Sequence, residues 1–207
     1  MTTPRTEKPA VSRWDVGAIV LFMLAGAAII VVNAVGAVLR IIEVLPGTNV
    51  PVYAVFDGTP AQAPIGPDGA PVPVSLEAAM ITAAELPGPS VAALVIQQIV
   101  VILAVTIAVS ALLWLALNIL RQRVFCRTNT VLVAVAGFAG LAGAFLSPFF
   151  GNMGSNGAFA RISDGTFDNV ILQVELGPYI LACFVFAIAC LAFTVGQRLQ
   201  RDAEGLV

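Results

Sequence analysis

The sequence predicts an all-α integral membrane protein: a bundle of four transmembrane helices with a Pro-rich extracytoplasmic loop between the first and second. Three observations carry this expectation. The first is composition. Of 207 residues, 59% are hydrophobic and only 11% are charged, and the mean hydropathy is +0.97. A soluble domain carries about 25% charged residues, so this chain has too few to make a wetted surface. The second is that Val16–Leu39, Leu86–Leu120, Thr128–Ala160 and Leu176–Gln197 contain no Asp, Glu, Lys or Arg. About 20 apolar residues cross a hydrocarbon core roughly 30 Å thick. The third is one-sided charge. Arg5, Lys8 and Arg13 precede the first stretch, Arg121, Arg123 and Arg127 follow the second, and Arg198 and Arg201 follow the fourth. With four crossings and both termini in the cytoplasm, all eight lie inside, which is the orientation that short basic segments favour.

The chain 1–207 therefore reads as one membrane domain, with helices at about 16–39, 90–120, 129–150 and 174–197. Outer loops fall at about 40–89 and 151–173, and cytoplasmic segments at 1–15, 121–128 and 198–207. Trp14 stands where an interfacial anchor would. The first apolar stretch exceeds the 7–15 residues of a signal-peptide core, so an uncleaved helix is expected. Pro87 and Pro89 place the start of the second helix near Ser90. Thr128 or Asn129 is suited to cap the third. Pro148, followed by Gly151, Asn152 and Gly154, is expected to end or kink it. Pro178 fits the first turn of the fourth.

The first outer loop is the only sizeable segment outside the proposed spans. Val50–Phe56 and Pro71–Leu76 read as short extended segments, and Gly58–Gly69 as the turn between them, which makes a small β-hairpin. Such a hairpin needs something packed against it to be stable. Ser75–Leu86 reads as a short amphipathic helix, because Leu76, Met80 and Ala83 share a helical face. A plain connector is favoured here over a ligand-binding cap. In the second outer loop, Arg161 is placed to pair with Asp164 or Asp168. At the edge of the first helix, Arg40 and Glu43 stand one turn apart and are placed to pair or to snorkel.

Inside the spans the sequence offers polar groups but no charges. Asn33, with Gly26 and Ala37, forms a stripe on the first helix that predicts an interhelical hydrogen bond beside a close backbone approach. Gln97 and Gln98 lie near the outer end of the second helix. Ala136, Gly140 and Ala144 repeat every four residues in the third, the spacing of a helix-packing stripe. Cys183, Ala187, Cys190 and Thr194 make a small-residue face on the fourth. These stripes predict tight packing within one bundle, with homo-oligomerisation as the sharper alternative.

Nothing in the sequence carries catalysis. There is no histidine, no phosphate loop, no nucleophile elbow and no metal-ligand spacing. No cofactor is expected, and a net charge of −2 gives no reason to expect nucleic-acid binding. The residues singled out for partner contact or for setting topology are Arg121, Arg123, Phe125, Arg127, Asn129, Arg198 and Arg201. The expected role is that of a non-enzymatic protein of the bacterial inner membrane. It would act on the bilayer side through a cytoplasmic regulatory partner. A subunit of a small transporter or channel, lined by Asn33, Thr106 and Ser110, is the alternative. Transporters and proton relays usually carry an intramembrane charge, and these spans have none.

Two segments add a family resemblance. One is Arg123-Val124-Phe125-Cys126-Arg127-Thr128-Asn129 with the Gly-rich helix after it. The other is Ala192-Phe193-Thr194-Val195-Gly196-Gln197-Arg198-Leu199-Gln200, leading to Glu204-Gly205-Leu206-Val207. In both, the chain resembles a bacterial family of four-helix membrane proteins called domain of unknown function 2975. The resemblance implies the four-helix layout with a large first loop. It carries over no catalytic residue and implies membrane-linked regulation, since related proteins are often encoded beside small helix-turn-helix regulators.

Overall fold

A computed structural model describes residues 13–167 and 176–205. The chain is mostly helical, with helices α1 (Arg13–Val44), α2 (Gly88–Leu120), α3 (Arg127–Ile162) and α4 (Leu176–Glu204), all long and apolar enough to cross a membrane. Between α1 and α2 stands an antiparallel hairpin of β1 (Thr48–Ala63) and β2 (Val72–Glu85).

The helices form an open row and do not close into a bundle. Among the described residues, each helix packs only on the helices next to it in sequence. Among the described residues no Cα of α4 comes within 8 Å of α1 or α2, nor one of α1 within 8 Å of α3. The α1 stripe faces α2: a Cβ on Gly26 would lie 2.7 Å from Leu113 Cδ2, and Ala37 is buried. Asn33 lies half-buried along that stripe, but among the described residues its side chain makes none of the hydrogen bonds expected of it. The small face of α4 packs only in part: Cys190 and Thr194 are half-buried, but Cys183 and Ala187 are exposed. Its anchor is bulky instead: Phe186 lies over Gly137 of α3, where a Cβ would meet its ring at 2.6 Å. The outward faces stay apolar, with Val32 72% and Phe184 67% exposed. That is tolerable only where the surroundings are themselves apolar.

Helix α3 does not end at Pro148 but continues to Ile162, so most of the segment 151–173 expected as a loop is helix. Proline lacks the N–H that would bond the carbonyl four residues back, here that of Ala144. The Tyr179 hydroxyl of α4 donates to this carbonyl at 2.8 Å, so the gap in the helix ladder is filled from a neighbouring helix. Beyond it, Gly151, Gly154 and Gly157 form a ladder at three-residue spacing against α2. A Cβ on them would come within 2.6 Å of Gln97 Nε2, 2.5 Å of Leu94 Cδ2 and 1.7 Å of Ser90 Oγ respectively. Glycine costs a helix roughly 1 kcal/mol per residue, and here the close approach to α2 outweighs that cost.

The hairpin is longer than the sequence indicates. Ser75–Leu86 is not helical: its residues to Glu85 belong to β2, which pairs with β1 from Thr48↔Glu85 to Ala63↔Val72 across an irregularity between Val55 and Thr59. The turn narrows to 64–71, around a single 3-10 turn at Pro67–Gly69. Alternation along β1 buries Val50, Val52 and Ala54. Val50 and Val52 join Val44, Ala83, Leu86, Leu94 and Ala158 in the most buried cluster among the described residues, with Ile81, Val91 and Val95 packed around it. The hairpin backbone lies on the far end of α3, where Phe56 meets Phe159 edge-on at 5.0 Å. This support is what a two-stranded hairpin requires. Hairpin, start of α2 and end of α3 together make a head with its own hydrophobic core.

Candidate functional site

A cleft of about 440 Å³ opens where the head meets the long helices. Val52, Tyr53, Val55 and Met80 of the hairpin line it, together with Leu94, Gln97 and Gln98 of α2. Arg40 and the α3 turn Ser147, Pro148, Gly151, Asn152 and Ser155 complete the lining. That volume is in the range of small-molecule sites.

Its chemistry is that of neutral hydrogen bonding. Among the described residues Arg40 is the only charged group in the lining, and it is already engaged: Nη1 pairs with Glu43, and Nη2 donates to the Pro51 carbonyl. Ser155 Oγ donates to the Asn152 carbonyl at 3.0 Å. The side chains of Gln97, Gln98, Ser147 and Asn152 make no hydrogen bond to any described residue. Three carboxamides and a hydroxyl thus present unused donors and acceptors beside an apolar wall. Gly151 is part of this arrangement, because any side chain there would displace the Gln97 amide. Groups of this kind bind a ligand by donating and accepting hydrogen bonds.

At the opposite end, the link between α2 and α3 is pinned by two buried asparagines. Asn118 Nδ2 donates to Asn129 Oδ1 at 2.7 Å, and Asn129 Nδ2 donates to the carbonyls of Arg123 and Val124, each at 2.7 Å. Asn129 is fully buried. It therefore neither caps α3, whose N-cap is Cys126, nor offers itself to a partner. It holds the turn in which Gln122 takes a φ of 58°. Phe125 packs over Gly196 and 6.1 Å from Phe193 of α4, so it ties α4 to the link. Arg121, Arg123, Arg127, Arg198 and Arg201 are all exposed at this end.

The expected packing stripe on α3 divides. Ala136 is buried, whereas Gly140 and Ala144 are exposed and border an open wedge between α3 and α4 with Tyr179 and Phe186. A Cβ on Gly140 would meet nothing within 4 Å. The close approaches belong instead to Gly137, Gly143, Gly151, Gly154 and Gly157. Arg161 pairs with Glu85 of β2 at 2.8 Å and not with Asp164; Asp168 lies outside the described residues. Sequence reasoning named Gln97 and Gln98 only as polar residues near a helix end and Asn152 only as part of a helix-ending run, and it missed Ser147. Their one available signal was the cluster of polar residues around Pro148. No family model, curated protein or solved structure matches the chain.

Proposed function

We propose that the chain is a non-enzymatic, multi-pass protein of the bacterial inner membrane, with both termini cytoplasmic, that works by binding partners. The observation that carries this reading is the head. A bilayer needs about 20 residues of helix, and the Asn118–Asn129 hydrogen bond sets a common depth on α2 and α3. About twenty residues from it, at 1.5 Å per residue, each helix reaches the cleft, near Gln98 and Phe149. Everything past that level, including the most buried cluster of the molecule, stands clear of a bilayer placed on the link side. A protein that only spans has no need of such a core.

Basic residues cluster at the link end, which supports placing that end in the cytoplasm. The exposed arginines there, with Phe125 as a fixed apolar ledge, are the surface for a cytoplasmic regulatory protein. The open row and its uncharged helices count against a transport path within one copy.

The test is site-specific photocrosslinking in native membranes, with the probe at Arg123 in one strain and at Tyr53 in another. A discrete product with a second protein from either position is expected. Only background from both would sink the partner role. Recovery of the chain in the soluble fraction after expression would sink the membrane placement.

A further inference from the structure

We propose that the cleft between head and helices binds an uncharged, hydroxyl-rich group, namely a sugar. The sugar is either the head of a glycosylated lipid in the outer leaflet or a free saccharide. The lipid source rests on the membrane placement proposed above; the free-sugar source does not.

Three features select this chemistry. The cleft offers Gln97, Gln98 and Asn152, whose carboxamides each donate and accept, as vicinal hydroxyls require of their partner. None of them, nor Ser147, is committed to another described residue. An anion or cation would find little compensation, because the Arg40 guanidinium is held by Glu43 and the Pro51 carbonyl and no carboxylate lines the cleft. Burying an uncompensated charge is far costlier than burying hydroxyls that keep their hydrogen bonds. Finally, Tyr53 stands at the wall 62% exposed, an aromatic surface for the apolar C–H face of a sugar ring. The level of the cleft, one bilayer thickness from the link, is where the head of an outer-leaflet lipid lies.

The test uses the full chain in phosphatidylcholine nanodiscs doped with equal amounts of monoglucosyl diacylglycerol and phosphatidylglycerol. Native mass spectrometry after release counts the lipids retained, and glucose is titrated calorimetrically in a parallel arm. Preferential retention of the glucosyl lipid, or saturable glucose binding, is expected and identifies the source. The variant Gln98→Ala/Ser147→Ala removes no internal hydrogen bond. It should keep the wild-type melting temperature while weakening binding by about tenfold, the loss expected for one to two neutral hydrogen bonds. Equal retention of both lipids without glucose binding overturns the proposal. So does preference for phosphatidylglycerol, or a variant that binds as tightly as wild type. A chain that fails to enter nanodiscs refutes the membrane placement, and the glucose arm still decides the cleft.

Discussion

Two polar side chains hold the helices where apolar contact alone gives no register. Asn129 satisfies two link carbonyls and Asn118 at once. Asn129→Ala leaves the buried Asn118 amide without this partner, and a buried orphan costs about 1–3 kcal/mol. A clear drop in melting temperature in detergent is expected, and an unchanged one would show the network to be idle. Tyr179→Phe removes only the donor to the Ala144 carbonyl. Interhelical hydrogen bonds in membranes average about 0.6 kcal/mol and reach roughly 1.7, so its melting shift should be the smaller of the two. The reverse order would contradict both assignments. The sequence flags Asn129 and Pro148 but not what they do. Pro148 reads as a breaker because the rule is local, whereas its remedy, Tyr179, sits 31 positions later and arrives only when α4 docks.

For the elements, the glycine ladder of α3 and the register of β2 are the parts that local pattern misreads. Charge-free runs make all four helices legible, and the Val-rich half of β1 is legible too. In β2, Leu76, Met80 and Ala83 also fit a helical period, and what makes the segment a strand is its pairing with the distant residues Thr59, Tyr53 and Val50 of β1. Glycines at 151, 154 and 157 look like a loop until Ser90, Leu94 and Gln97 are set against them. The pair Gly154→Val and Gly140→Val isolates packing from helix propensity, because both lie inside α3. Gly154→Val drives a side chain into Leu94, and overpacking of this kind costs about 1–3 kcal/mol. Gly140→Val meets open space and should leave the melting temperature unchanged or slightly raised. Equal destabilisation by the two would refute the ladder.

Across the whole molecule, stability is distributed unevenly: the head is packed as a soluble core, while among the described residues α4 is held by α3 and the α2–α3 link alone. Its visible ties are Phe186 over Gly137, Tyr179 at Ala144, and Phe193 with Gly196 around Phe125. Phe186→Ala should therefore loosen α4 selectively. Hydrogen exchange should rise throughout α4 and stay unchanged in the hairpin, and a uniform rise would contradict an open row. The proposed orientation predicts that Cys126 reacts with an impermeant maleimide from the cytoplasmic side only; labelling from outside would invert it. The cleft was not legible because its lining comes from α1, the hairpin, α2 and α3, and no stretch of sequence carries more than a few of its groups.

The head is assembled from segments that leave the ribosome far apart in time. Its hairpin emerges before α2, but the surface it rests on, Gly151–Ile162, emerges only after a further helix and the link have been made. Until then the cluster lacks Ala158 and Phe56 lacks Phe159, and a hairpin without its full support is a target for chaperones and proteases. In the proposed membrane placement, arrival of the far end of α3 thus reports that the third crossing is complete. A nascent chain released before residue 150 should be degraded quickly, and one released after residue 165 should persist even without α4. In the proposed membrane placement, the same architecture gives the cell a way to proofread insertion.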